Sequence, residues 1–108
     1  MRVFICVLLV FIGSAFSDNR GNIKGEVRDT ETHQPLVGAN IIVIGTGLGA
    51  ACDTEGRFVI ANVPVGSYTV TASMVGYAAI SRANVNIYSQ RQTPLTFYLK
   101  QSSLKVRP

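Results

Sequence analysis

Residues 57–74 read RFVIANVPVGSYTVTASM. Two alternating runs flank a break marked by Pro64 and Gly66. Phe58 and Ile60 share one face of Arg57 to Ala61. Tyr68, Val70, Ala72 and Met74 share one face of Ser67 to Met74, with Ser67, Thr69, Thr71 and Ser73 on the other. Side chains of an extended strand point to opposite faces in turn, so a period of two predicts two half-buried strands. Asn62-Val63-Pro64-Val65-Gly66 predicts the turn between them.

The same pattern extends outward in both directions. Ile23, Gly25 and Val27 alternate with polar neighbours, which predicts a strand over 22–29. Thr30 to Leu36 (TETHQPL) reads as a turn. Ala39 to Ile44 (ANIIVI) predicts a central strand, and its four consecutive apolar residues suggest burial on both faces. Ala50-Ala51-Cys52 forms a short strand, and Asp53-Thr54-Glu55-Gly56 a hairpin-like turn. Val75-Gly76-Tyr77 closes the strand that ends at Met74. Val85 and Ile87 mark a strand over 83–88, and Leu95, Phe97 and Leu99 another over Thr93 to Lys100. No segment carries the period of a long amphipathic helix. Seven short strands at roughly ten-residue spacing predict an all-β, seven-stranded antiparallel β-sandwich. Its expected core is Val27, Ile41, Val43, Phe58, Ile60, Tyr68, Val70, Ala72, Val85, Leu95, Phe97 and Leu99.

The N-terminus is of another kind. Val3 to Ile12 (VFICVLLVFI) is unbroken apolar sequence behind Arg2, followed by the small residues Gly13, Ser14 and Ala15. Ten helical residues span only ~15 Å, about half a bilayer core. The pattern is that of an export leader. Ala15-Phe16-Ser17 fits the small-x-small exit and predicts cleavage between Ser17 and Asp18, with Gly13-Ser14-Ala15 a second choice and an uncleaved anchor the other reading. The expected organisation is a leader over 1–17, the sandwich over 18–100 and a polar, basic tail over 101–108.

The whole sequence has 108 residues, 47% hydrophobic, a formal charge of +4 and a mean hydropathy of +0.28. That length holds one domain and not an outer-membrane barrel, which takes at least ~8 strands of ~10 residues. Removing the leader takes away Arg2 and no acid, leaving +3. It also takes much of the hydrophobicity and Cys6, so Cys52 stands alone and the domain has no internal disulfide. Cys52 reads as a small strand residue. All the acids precede residue 56, and the bases that follow Arg57 are scattered rather than clustered. They read as solvated strand edges, and the spread argues against a nucleic-acid partner.

Three patterns carry the look of chemistry. Gly45-Thr46-Gly47-Leu48-Gly49-Ala50 satisfies G-x-G-x-x-A after a strand. A dinucleotide site also needs a helix N-terminus there and an acid ~20 residues on, and a turn follows instead. Asp53, Glu55 and Gly56 lack the further ligands of a calcium loop. His33, the only histidine, cannot alone build a zinc site or a nucleophile–base pair. Tyr77 and Tyr88 are the candidate stacking platforms for a sugar, with half-buried packing as the plainer reading. No catalytic residue, metal or cofactor is expected.

Five short motifs stand in order: Gly25-x-Val27-x-Asp29; Pro35-Leu36-Val37-Gly38-Ala39-Asn40-Ile41-x-Val43-x-Gly45-Thr46; Asp53-x-Glu55-Gly56-x-Phe58-x-Ile60; Val63-Pro64-x-Gly66-x-Tyr68-x-Val70; and Val75-Gly76-Tyr77. From about Gly21 to Leu99 the chain resembles a carboxypeptidase regulatory-like domain. The resemblance implies a transthyretin-like Greek-key sandwich in which Gly38, Ala39, Gly45, Asp53, Gly56, Phe58, Gly66, Tyr68, Gly76 and Tyr77 are structural motif residues. It does not imply peptidase activity, since such domains are accessories to a separate zinc domain. Domains of this kind also follow the leader of SusC-like TonB-dependent outer-membrane receptors, on the periplasmic side. After Leu99 this sequence continues only as KQSSLKVRP. The expected function is a non-catalytic accessory domain of an outer-membrane uptake receptor, with the chain either a fragment of such a receptor or a small free-standing domain. Its partners would be other domains or proteins of that complex, with no membrane insertion by the sandwich itself. The alternative is a free-standing secreted glycan-binding or cell-surface module.

Overall fold

The alternation over 57–74 becomes two strands that lie in different sheets. The computed structural model describes residues 19–102. They form β1 (Arg20–Asp29), β2 (Asn40–Val43), β3 (Leu48–Ala51), β4 (Arg57–Pro64), β5 (Gly66–Ser73), β6 (Ile80–Ile87) and β7 (Gln92–Leu99). A three-stranded sheet has the order β4-β1-β7, and a four-stranded sheet the order β3-β2-β5-β6. The seven strands of the all-β sandwich are those expected from the sequence.

One ladder departs from the antiparallel expectation. β1 and β7 run parallel, in unbroken register from Asn22↔Gln92 to Asp29↔Leu99. Parallel neighbours need a long crossover connection. Here everything from β2 to β6 is that crossover, because the two strands are the first and last of the domain. Gly25 lies on this ladder, where a Cβ would land on the Leu95 carbonyl. No other residue type fits at that approach.

The core fills the space between the sheets. Ile23, Val27, Ile41, Val43, Val70, Ala72, Phe97 and Leu99 are fully buried. Three expectations are corrected. First, β2 is central but covered on one face only: Ile41 and Val43 are fully buried, whereas Ile42 and Ile44 are 46% and 51% exposed. Each sheet of a sandwich has one inner face, so a run of apolar residues does not by itself bury both. Second, the turn expected over 62–66 shrinks to Val65 alone, and Val63 is fully buried. Asn62 takes a positive φ of 60°, and its N–H donates to Asn22 Oδ1 at 3.2 Å. The β1–β4 register shifts between Gly21 and Ile23. A bulge of this kind bends the strand and returns the next side chain to the core. Third, Tyr68 is half-buried rather than core, because its hydroxyl reaches the Pro64 carbonyl at 2.7 Å across the β4–β5 corner.

Ile23, Leu36, Ala39, Cys52, Val63 and Ile87 join the core from outside the expected set. Leu36 lies in the segment read as a turn. Its N–H donates to the Val27 carbonyl at 3.0 Å, and the neighbouring Pro35 bridges Arg28, so this loop continues the sheet edge. One-sided burial of β2 has a direct test in urea unfolding. Ile41→Ala is expected to cost about 2–5 kcal/mol by opening a cavity, and Ile42→Ala less than about 1 kcal/mol.

Candidate functional site

The loops that carry Pro35 to Ala39, Asp53 to Gly56 and Val75 to Tyr77 converge on one end of the sandwich, where β1 and β7 finish. Asp29 closes β1 with its side chain only 3% exposed. Its Oδ1 accepts the N–H groups of Glu31 and Thr32 at 2.7 and 3.0 Å. Its Oδ2 accepts the Tyr77 hydroxyl at 2.7 Å and Gln101 Nε2 at 3.5 Å. These bonds, the Thr32 amide first and the Tyr77 hydroxyl second, hold the Asp29 carboxyl down to about 2. The same bond to Asp29 pushes the Tyr77 phenol up. A buried carboxylate is tolerated only when donors fill its lone pairs, and here donors from three separate segments do so.

Backbone bonds fasten the same segments. Tyr77 and Gln101 form an isolated bridge. The Ala78 N–H donates to the Lys100 carbonyl, and the Ser102 N–H to the Gly76 carbonyl, both at 2.9 Å. The chain leaving β7 is thus clamped to the turn after β5.

A second knot lies beside the first. Asp53 Oδ1 accepts the N–H groups of Glu55 at 2.8 Å and Arg57 at 3.0 Å. Those two amides, Arg57 first, lower its pKa. The carboxylate that resembled a calcium ligand is occupied by its own turn, and Glu55 pairs with Arg57 at 3.2 Å. Gly56 has φ +75°, and a Cβ there would meet the Pro35 Cβ at 2.8 Å and the Val27 carbonyl at 2.9 Å. Only glycine satisfies both the backbone angle and the approach. The Val27 N–H in turn donates to the Gly56 carbonyl at 2.8 Å. Gly38 and Ala39 exchange backbone bonds with Cys52 at 3.0 and 2.9 Å. Cys52 is buried, and burial pushes its thiol up to about 11.

The remaining sequence candidates are dispersed. Gly45 lies in the β2–β3 hairpin, where the Thr46 hydroxyl donates to the Val43 carbonyl and accepts the Leu48 N–H, both at 2.9 Å. The G-x-G-x-x-A string is therefore a turn. Phe58 lies in the core, Gly66 and Tyr68 at the β4–β5 corner, and Gly76 with Tyr77 at the clamp. His33 is exposed, its ring edge-on to Tyr98 at 6.0 Å between centroids. Tyr77 is not a free platform, since its hydroxyl is bound to Asp29. Tyr88 is 53% exposed. Among the described residues no group of three or more His, Cys, Asp and Glu side chains could hold a metal ion. Ser17 and Asp18 lie outside the described residues.

Sequence reasoning missed what this end presents outward. Val75, 95% exposed, and Val37, 48% exposed, stand in neighbouring loops. Gly38, Asn40, Ser73, Met74 and Val75 line a shallow depression there. The available signal was an apolar residue falling inside a turn motif. The arrangement takes up its carboxylates, Asp29 and Asp53, in its own hydrogen bonds. It offers apolar loop tips on a rigid polar base.

The interlocked loops carry parts of four of the five ordered motifs of the sequence, and residues 23–107 match the CarboxypepD_reg-like domain family. The chain belongs to that family. It is 31% identical over 86 residues to carboxypeptidase D of Anas platyrhynchos, covering 80% of this chain and 6% of that protein. It is also 31% identical over 103 residues to TonB-dependent receptor P39 of Formosa agariphila, covering 93% of this chain and 10% of the receptor. The chain thus spans a tenth or less of the length of these curated relatives. A CarboxypepD_reg-like domain is a regulatory-like domain rather than the catalytic part of a carboxypeptidase.

Solved structures agree on the fold. A cohesin–X-dockerin complex from Acetivibrio cellulolyticus matches with a TM-score of 0.67 and 23% identity, over 80% of this chain and 61% of that one. GBS52, the minor pilin of Streptococcus agalactiae, matches with a TM-score of 0.57 and 16% identity, over 83% and 48%.

Two measurements test the clamp. Asp29 sits below its ordinary value of 3.8 in the folded chain, so its contribution is present above pH 4 and disappears as pH falls from about 4 to 2. Asp29→Asn is expected to lower the Tm at pH 7 and to converge with the parent protein near pH 2. Tyr77→Phe is expected to lower the Tm less than Asp29→Asn. Separately, Cys52 in the folded chain should alkylate about a hundredfold more slowly at pH 8 than in the unfolded chain.

Proposed function

We propose that this chain is the N-terminal periplasmic accessory domain of a TonB-dependent outer-membrane nutrient receptor, acting through protein–protein contacts and without catalysis. The observation that carries this reading is the 31% identity over 103 residues to a TonB-dependent receptor, covering 93% of the chain. The leader over residues 1–17, cut between Ser17 and Asp18, would export it. The sandwich over 18–100 would stay outside the bilayer, and the basic segment over 101–108 would lead onward. The motif residues Gly38, Ala39, Gly45, Asp53, Gly56, Phe58, Gly66, Tyr68, Gly76 and Tyr77 would serve as scaffold rather than as site.

The geometry of the motif end supports this role. The exit from β7 is fixed at Tyr77 and Gly76 by the Gln101 bridge and the Ser102 bond. Val37 and Val75 are exposed on the same end. A module that hands its chain to a larger assembly benefits from a defined exit flanked by apolar contacts.

The reading is tested by tagging the gene in its own cells, separating the membranes and probing with protease. The tag is expected in the outer-membrane fraction, cleavable only after the outer membrane is opened. Recovery in the cytoplasm overturns the proposal. Recovery in the medium overturns it in favour of a free-standing secreted module.

A further inference from the structure

The two sheets meet along one seam, between the edge strands β6 and β7, without a backbone ladder. Two side chains bridge it instead. Arg82 Nη2 donates to the Thr96 carbonyl at 3.1 Å, and the Thr93 hydroxyl to the Asn86 carbonyl at 2.9 Å. The Arg82 guanidinium also lies over the Phe97 ring, 5.2 Å from its centroid. A bulge makes this possible. The β5–β6 register shifts between Tyr68 and Val70, so that Arg82 and Val85 both stand opposite inward residues of β5. Asn84, between them, takes a positive φ of 58°. Bulges re-aim side chains in this way at the edges of sheets.

An open groove of about 340 Å³ runs along the seam, with Arg82, Asn84, Asn86 and Tyr88 on one side and Pro94 and Leu95 on the other. Its size and its mix of an apolar floor with a few polar groups are those of a small-molecule site. Arg82, Asn84, Asn86 and Tyr88 are all exposed. The carboxamides of Asn84 and Asn86 and the Tyr88 hydroxyl have no partner among the described residues. Arg82 spends one donor on Thr96 and keeps the others of its fork. No carboxylate lines the groove, and no acid follows Glu55 in the sequence.

We propose that this groove binds an acidic sugar, a uronate unit of an oligosaccharide. The Tyr88 ring offers a flat apolar surface to the C–H face of a pyranose. Each Asn carboxamide brings donors and an acceptor, the pairing that neighbouring sugar hydroxyls require. The Arg82 guanidinium pairs with the uronate carboxylate, in the geometry that its planar fork favours. A neutral sugar would use the ring and the amides and leave the cation idle. A peptide strand is poorly served, because the Thr96 and Asn86 carbonyls on the two edges are already taken. Those same two bonds fix the width of the groove before any ligand arrives, which lowers the ordering cost of binding. The inference makes no use of the motif end and does not depend on the receptor reading.

The test is a titration of the purified chain, followed by amide-resolved NMR, with tetrasaccharides of galacturonate, glucuronate and mannuronate, their methyl esters and maltotetraose. At least one acid is expected to shift the amides of Asn84 to Tyr88 and Thr93 to Leu95, and to bind about tenfold more tightly than its own ester. Tyr88→Ala is expected to weaken that binding about tenfold, whereas Tyr88→Phe keeps the ring and stays within about twofold of the parent. Arg82→Gln should erase the preference for acid over ester. The acid–ester comparison on the parent chain needs no variant, so it stands even where Arg82→Gln loosens the seam. Silence with all three acids at millimolar concentration overturns the proposal. So do shifts that fall outside the groove, an ester or maltotetraose that binds as tightly as the acid, or a folded Tyr88→Ala chain that binds like the parent.

Discussion

β1 is the one strand on which the three-stranded sheet depends. It pairs with β4 on one side and β7 on the other, so neither neighbour has a sheet without it. Its inward residues Ile23 and Val27 are fully buried. Its last residue, Asp29, then gathers the loop that follows, the turn after β5 and the exit from β7. A small sandwich whose described residues hold a single, buried cysteine has few other ways to fix its ends. Here the sheet ladder fixes the middle and one desolvated carboxylate fixes the end.

Much of the fold is visible in residue order because the dominant constraint is local. Alternation at Tyr68, Val70 and Ala72 places an inner face whatever the rest of the chain does. The errors arise where distant geometry intervenes. Val63 looked like turn sequence beside Pro64, but a bulge opposite Asn22 rotates it into the core. The four apolar residues from Ile41 to Ile44 looked doubly buried. The number of sheets, not the strand's own composition, sets how many faces are covered.

The end of the sandwich was less legible for the same reason. The bonds from Tyr77 and Gln101 to Asp29 span 48 and 72 residues, and no local pattern encodes them. Asp29 stands in a motif with no evident role, and Tyr77 reads as a half-buried motif residue whose hydroxyl has no evident partner in the sequence. The Asp53 turn, by contrast, closes within four residues, and its misleading likeness to a metal loop was already weak from spacing alone. The glycine-rich string after β2 carried a similar false signal, which the absence of a following helix dispelled.

The parallel register of β1 and β7 has a mechanical consequence. Because first and last strands run the same way, the chain enters the domain at one end and leaves at the other. Tension applied between the two termini would pull these neighbours in opposite directions along their length. Their ladder, from Asn22↔Gln92 to Asp29↔Leu99, would then be loaded in shear, with all its hydrogen bonds sharing the force instead of opening one by one. The domain is built as a tie rod roughly 25 Å long, able to transmit a pull along its axis without first coming apart.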